Sequence, residues 1–238
     1  MNSPTNAHRA AWPVLAWLTV ALLGIAAPTI ALLALAETLQ PLLDAGGPIL
    51  ALGLMGLGMI AAAASGRLWV GVVLALLGGV WLIGLAGALG MPPLLQPLFL
   101  GFAIVIATLS FTARGALFAR SALDKGWLIA LFVVAGEAAF LITAWVEPGS
   151  LPDWLLVLLP AQWANMAFQA ALTGKGTTAA IAPLIALGGT AATTLLVARL
   201  LPRRWPYLLM FSAWLGLSAL VWYWPVISGD PAMITAPS

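Results

Sequence analysis

Residues 12–36 read WPVLAWLTVALLGIAAPTIALLALA, a stretch of 25 residues without a charged side chain. As a helix this stretch would be about 37 Å long at 1.5 Å per residue, which exceeds the ~30 Å hydrocarbon core of a bilayer. The apolar part of a cleaved secretory signal has only about 7 to 15 residues, and no small-residue cleavage pattern precedes the polar Glu37. We therefore expect a transmembrane helix that remains in the protein as an anchor.

The rest of the chain repeats this pattern. Of the 238 residues, 63% are hydrophobic and only 7% are charged, and the mean hydropathy is +1.09. Such values exclude a water-soluble globular protein. Further apolar runs of membrane-spanning length cover 48–65, 68–90, 94–112, 127–146, 178–200 and 205–225. The sequence predicts an all-α, polytopic transmembrane helix bundle of about seven spans. Residues 12–225 would form a single membrane domain, with a cytoplasmic tail at 1–11 and a short polar tail at 226–238.

Basic residues decide the predicted orientation, because cytoplasmic loops are enriched in Lys and Arg. With seven spans and the amino terminus inside, most basic residues fall on the cytoplasmic side and only Lys175 falls outside. The outer loops then hold the acidic residues Glu37, Asp44, Glu147, Asp153 and Asp230. If residues 153–172 formed an eighth span, the cluster Arg199, Arg203 and Arg204 would face outward, against this rule. We therefore expect the amino terminus inside and the carboxyl terminus outside.

The segment at 153–173 differs from the spans. Gln162, Asn165, Gln169 and Thr173 recur at helical spacing, so they would share one polar face of a helix. Such a face suits an interface better than a bilayer crossing. We expect an interfacial or re-entrant helix at the outer face.

Glu137 is the most informative single residue, since it lies ten residues after Trp127 and ten before Glu147. That position is near the membrane midplane, where a charge costs roughly 2.5 to 3.5 kcal/mol on insertion scales. Glu137 would be a proton or cation site or a substrate anchor, in a polar site with Thr190 and Thr194. As the alternative, it is a neutral carboxylic acid that is hydrogen-bonded to a neighbouring hydroxyl, with these candidates: Thr108, Ser110, Thr190, Thr193 and Thr194.

The segment Thr112–Gly126 would be the longest cytoplasmic loop. Its basic residues Arg114, Arg120 and Lys125 stand between apolar residues, as in an amphipathic surface helix that contacts a soluble partner or anionic lipid. The alternative is that these charges serve only as an orientation signal. The cluster Arg199, Arg203 and Arg204 has the same two interpretations.

Enzyme chemistry lacks the necessary residues. The chain has no cysteine and a single histidine, His8, and it contains no nucleophile elbow, zinc-protease motif or phosphate loop. We therefore predict no catalytic, cofactor-binding or metal-ligating residue, and the formal net charge of +2 makes nucleic acid an unsuitable partner. Small residues four apart, such as Gly58 and Ala62, or Gly71 and Ala75, predict close helix packing within the chain or with another subunit.

Residues 160–204 resemble the end of ABC-2 type exporter permeases. Pro160, Trp163, Ala167 and Gly174 are similar to the outer re-entrant element of that family, and the basic cluster after residue 198 is similar to its cytoplasmic end. The resemblance implies an exporter subunit whose contact with a soluble ATPase is at 112–126. The chain departs from the family in lacking the amino-terminal cytoplasmic helix, in its short Ser65-Gly66-Arg67 turn and in its additional last span.

Three functions are consistent with these features. The first is a transport or permease component without its own ATPase, and the second is a non-catalytic accessory or assembly subunit of a larger membrane complex. The third is an intramembrane enzyme on a lipid substrate, but a lone carboxylate near the midplane is far from the headgroups. We favour transport, with the bilayer, a soluble ATPase, other membrane subunits or further copies of the chain as partners. The composition, rich in Ala, Leu and Gly, favours a prokaryotic plasma membrane.

Overall fold

The computed structural model describes residues 4–36, 39–174, 177–200 and 205–227. These ranges contain helices and turns and no strand. The first two long helices contain a π-helical turn each: α1 (Pro4–Ala21) continues through Leu22–Ala26 into α2 (Ala27–Leu35), and α3 (Leu39–Met55) continues through Gly56–Ile60 into α4 (Ala61–Ser65). The remaining helices are α5 (Leu68–Ala88), α6 (Pro97–Ala122), α7 (Gly126–Val146), α8 (Asp153–Val157), α9 (Pro160–Thr173), α10 (Thr177–Leu200) and α11 (Trp205–Ile227).

Seven helical segments within the described ranges are long and apolar enough to cross a membrane. They are Pro13–Leu35, Asp44–Ser65, Leu68–Ala88, Pro97–Ala122, Gly126–Val146, Thr178–Leu200 and Leu208–Pro225. The predicted all-helical, multi-pass membrane protein is confirmed in this respect. α1 begins at Pro4, so most of the predicted tail at 1–11 is helical. Residues 228–238 of the predicted carboxyl-terminal tail lie outside the described residues, as do Glu37, Lys175, Arg203, Arg204 and Asp230.

The small residues of the second and third spans pack against each other. A Cβ atom at Gly71 of α5 would lie 2.5 Å from the carbonyl oxygen of Gly58 and 2.8 Å from the Cβ of Ala62. Only glycine permits this approach of two backbones, which is how small residues bring membrane helices together. The predicted ridges therefore pair within the chain.

Gly66 ends α4 before the turn to α5. Its φ of 66° lies in the left-handed region, which glycine adopts readily at the end of a helix.

The second span is central and the last span is peripheral. Of an 18-residue window in Asp44–Ser65, 78% is buried, compared with 11% of Leu208–Pro225. α11 packs mainly on α10, with further contacts to α8. Its Trp224 indole donates a hydrogen bond to the carbonyl oxygen of Thr178 at 3.0 Å. The last span is thus a separate outer layer over α8 and α10.

The short helices α8 and α9 lie between the middle and one end of the bundle. The first residues of α9 contact Glu137, halfway along α7. At the other end of α9, the Gln169 side-chain amide donates to the carbonyl oxygen of Asp44, and Gly174 lies against Leu95. Asp44 and Leu95 both lie where the chain enters the next span. The break between α8 and α9, at Leu158 and Leu159, is therefore deep in the molecule.

Candidate functional site

A buried ion pair joins α6 and α7. Arg114 Nη2 donates to Glu137 Oε1 at 2.7 Å, and the side chains of Arg114 and Glu137 are only 15% and 7% exposed. Two opposite charges at this distance offset much of each other's desolvation cost. A second buried charge, which we did not predict, therefore accompanies Glu137.

The predicted loop at Thr112–Gly126 is wrong. α6 continues to Ala122, and only Leu123–Lys125 form a 3₁₀ turn before α7 begins. The physical reasons are that Glu137 neutralises Arg114 and that Gly115 lets α6 lie directly against the backbone of Met59, where a Cβ would collide. A charged residue therefore does not end this span.

The second oxygen of Glu137 accepts a hydrogen bond from α9. The Ala161 backbone N–H donates to Glu137 Oε2 at 2.8 Å. The first N–H groups of a helix have no partner within the helix, and its amino-terminal end carries a partial positive charge. Glu137 thus stabilises the start of α9 and holds α6, α7 and α9 at one point.

The alternative prediction of hydrogen bonds between Glu137 and hydroxyl groups is wrong, since the carboxylate accepts instead from Arg114 and from the Ala161 N–H. Thr190 and Thr193 donate instead to carbonyl oxygens one turn earlier in α10. Three other hydroxyls are buried and have no hydrogen-bond partner, namely those of Thr108, Ser110 and Thr194.

A cavity of about 280 Å³ lies beside the ion pair. The structure brings Glu137, Thr190 and Thr194 together on its wall, although the sequence separates α7 from α10. Their role as a polar site stays a prediction. Arg114 also lines the cavity, and the remaining wall is apolar, formed by Leu117, Phe118, Leu158, Leu159, Pro160, Met210 and Trp214.

Two polar groups on this wall lack a partner. Arg114 Nη1 is buried and forms no hydrogen bond, although Nη2 of the same guanidinium binds Glu137. The hydroxyl of Thr194 is also buried and unpaired. Buried donors normally bind an acceptor, since a buried donor without a hydrogen bond costs about 1 to 3 kcal/mol. These groups mark the part of the cavity where a polar ligand or water would bind.

The three predicted cytoplasmic contact residues separate in the structure. Arg114 is within the bundle, whereas Arg120 donates from Nη1 to the carbonyl oxygen of Ala198 at 2.7 Å. That contact stabilises the last turn of α10, whose carbonyls attract cations. Lys125 is exposed in the turn before α7, and Arg199 is exposed on α10. Arg114 is therefore mostly buried, and the role of Arg114, Arg120 and Lys125 as contacts for a partner or lipid stays a prediction.

One sequence signal anticipates the ion pair. Arg114 lies ten residues before Asp124 and Glu137 lies thirteen residues after it. Two antiparallel helices joined by a tight turn at this point bring residues at such similar distances to similar depths. Recognising the turn would have required extending the span through Arg114.

Within the described ranges, no group of three or more His, Asp or Glu side chains could hold a metal ion. Comparisons with protein-family models, with curated proteins and with solved structures found no match to this chain.

Proposed function

We propose that this integral membrane protein is a transport or permease component, without its own ATPase, in a prokaryotic plasma membrane. The observation that carries the proposal is the buried Arg114–Glu137 pair, which lines a cavity in the bundle beside the break between α8 and α9. Ionisable residues inside a membrane domain are costly and typically mark a substrate or ion pathway.

The interrupted segment supports the same function. We infer that 153–173 is a re-entrant element: the chain leaves α7 at the outer face, descends to Leu159 and returns through α9. Non-helical backbone is tolerated at membrane depth where it is buried in protein or lines a cavity. Leu158, Leu159 and Pro160 line the cavity, and a helix starting at such a break is typical of transporter binding sites.

The distribution of basic residues supports an orientation with the amino terminus inside. In that orientation Arg67, Arg120 and Arg199 lie on the cytoplasmic side, and α9 closes the outer half of the bundle above the cavity. The cavity would then be accessible from the cytoplasmic half. This arrangement is similar to the one that the resemblance to ABC-2 exporters implies, with a partner ATPase supplying the energy.

The test uses the source organism, because the transported compound is not identified. The gene is deleted and restored as wild type or as a variant, and small molecules and lipids inside and outside the cells are profiled by mass spectrometry. We expect deletion to shift specific compounds, wild type to reverse the shift, and Glu137→Gln to fail. Glu147→Gln, which changes an exposed residue just beyond α7, is the matched control and should reverse the shift.

A second pair of variants keeps the test decisive if Glu137→Gln does not accumulate. Met210→Trp fills the cavity from α11 without touching the ion pair, whereas Leu209→Trp adds the same ring on the adjacent exposed position. We expect only Met210→Trp to fail. If both Glu137→Gln and Met210→Trp restore the wild-type profile at wild-type protein levels, the cavity is not a transport site. An accessory or assembly subunit would then be the better explanation.

A further inference from the structure

The wall of the cavity contains two groups that can donate a hydrogen bond and have no acceptor. Arg114 Nη1 and the Thr194 hydroxyl are buried without acceptors, whereas Thr190 has already donated to the carbonyl oxygen of Ala186. We propose that the cavity binds an amphipathic anion, whose carboxylate or phosphate accepts hydrogen bonds from Arg114 and Thr194 and whose alkyl chain lies on the apolar wall. This inference rests on the proposed function only for the step that moves the ligand.

Charge favours an anion over a cation. Each oxygen of Glu137 already accepts a hydrogen bond, one of them from a guanidinium, so the negative charge of the carboxylate is largely compensated. The single negative charge of Glu137 faces the guanidinium of Arg114 and also the partly positive start of α9. A positive excess remains at the cavity wall. A cation would meet this excess and the unpaired guanidinium nitrogen, whereas an anion would satisfy both.

The geometry of arginine supports the same ligand class. A guanidinium presents several donors in one plane, and it can bind two anionic groups on different edges. Nη2 is used by Glu137 and Nη1 is free of partners. Charge-assisted hydrogen bonds to carboxylate or phosphate are about twice as strong as neutral ones. The anionic group would therefore bridge Arg114 and Thr194, and it would join α6 to α10.

The rest of the wall requires an apolar ligand body. Phe118, Leu158, Leu159, Met210 and Trp214 line the cavity and offer no charge to a ligand. The volume of about 280 Å³ is nearly twice that of an engineered cavity of about 150 Å³ that binds benzene. It is just below the volume of ordinary ligand sites, which are roughly 300 to 1,000 Å³. A short alkyl chain fits this space, and a sugar or a peptide would leave its polar groups unpaired.

The last span would admit the alkyl chain. Met210 and Trp214 belong to α11, the least buried of the seven spans. Part of the apolar wall of the cavity thus belongs to the span that is least buried by the rest of the chain. Arg120 and Arg199 lie near the carboxyl-terminal ends of α6 and α10, where their charges would attract an anionic headgroup.

Octanoate is the first probe, with octanol as the uncharged control. The full chain in nanodiscs of zwitterionic phosphatidylcholine is titrated calorimetrically, with empty nanodiscs as the blank. We expect saturable binding of one octanoate per chain and no saturable binding of octanol. Thr194→Val keeps the shape of the side chain and removes a buried unpaired hydroxyl, so the fold should be preserved. Loss of a hydrogen bond to a charged group should weaken octanoate binding about tenfold or more.

Thr193→Val is the matched control, since the hydroxyl of Thr193 bonds within α10 and does not line the cavity. It should leave octanoate binding unchanged. The paired neutral variant Arg114→Gln with Glu137→Gln avoids a lone buried charge and should abolish the binding. The proposal would be overturned if octanoate did not bind saturably, or if the wild type and Thr194→Val bound octanoate with equal affinity. We would then conclude that Arg114 and Thr194 do not bind an anion in this cavity. Equal affinity for octanol would show an apolar cavity only.

The source of the anion is decided by competition. If nanodiscs that contain phosphatidylglycerol suppress octanoate binding in the wild type, the natural ligand is a membrane lipid headgroup. If they do not, it is a free amphiphile. If octanoate binding depends on Thr194, but Glu137→Gln and Met210→Trp restore the wild-type cellular profile, then transport is refuted and the binding site is retained. A profile that depends on Glu137 and Met210 without octanoate binding would refute the ligand class and retain transport.

Discussion

Neutralising one member of the Arg114–Glu137 pair should cost more than neutralising the second member afterwards. Glu137→Gln leaves the guanidinium, which is only 15% exposed, without its carboxylate. Removing one partner of a buried pair costs about 3 to 5 kcal/mol. We expect about 3 kcal/mol, at the lower end of that range, because the glutamine oxygen can still accept from the Ala161 N–H. Arg114→Gln should cost a similar amount, since it leaves the buried carboxylate with one hydrogen bond.

The double variant should cost about the same as either single variant, because no uncompensated charge remains. The coupling energy is then about 3 kcal/mol, the upper end of values measured for residues in contact. Unfolding by a denaturing detergent, followed by tryptophan fluorescence in mild mixed micelles, would measure all four proteins. Glu147→Gln, at an exposed position, should change stability by less than about 0.5 kcal/mol. Additive costs within about 0.5 kcal/mol would refute the pairing and the role of Glu137 in holding α6, α7 and α9 together.

Two further predictions concern packing and topology. Gly71→Ala should destabilise the protein by about 1 to 3 kcal/mol, because the new Cβ would lie 2.5 Å from a facing carbonyl oxygen. Gly84→Ala, where nothing lies within 4 Å, should be neutral or stabilising by up to about 1 kcal/mol. Thermal unfolding in detergent compares the stability of the two variants. Equal effects would refute the close packing of the second and third spans. The chain has no cysteine, so single cysteines can be labelled in intact cells with an impermeant maleimide. We expect Ser150→Cys and Thr178→Cys to react from outside and Ser121→Cys only after permeabilisation, whereas labelling of positions 150 and 178 from opposite sides would show that 153–173 crosses the membrane.

Local sequence was sufficient for the spans because burial in lipid depends on the composition of each segment alone. A run such as residues 12–36 is apolar enough to form a membrane helix whatever its neighbours are. The small residues at Gly58, Ala62 and Gly71 predicted close packing in the same way. The depth of Glu137 could be read by counting residues along its helix.

The site depended on the tertiary structure because its groups come from distant segments. Arg114 reads as a loop residue when a charge is taken to end a span, and only its contact with Glu137 makes a longer helix acceptable. The break before Pro160 reads as a surface feature until the Ala161 N–H is seen to contact the same carboxylate.

Composition and hydropathy thus predicted by themselves an all-helical membrane protein and the seven helices that are long and apolar enough to span, because partitioning into lipid is a property of single helices. The tertiary structure alone decided which charges neutralise each other, which hydroxyls stay unpaired and where the cavity lies. Those properties depend on distances of a few ångströms between α6, α7, α9, α10 and α11, and such distances are set by the packing of whole helices.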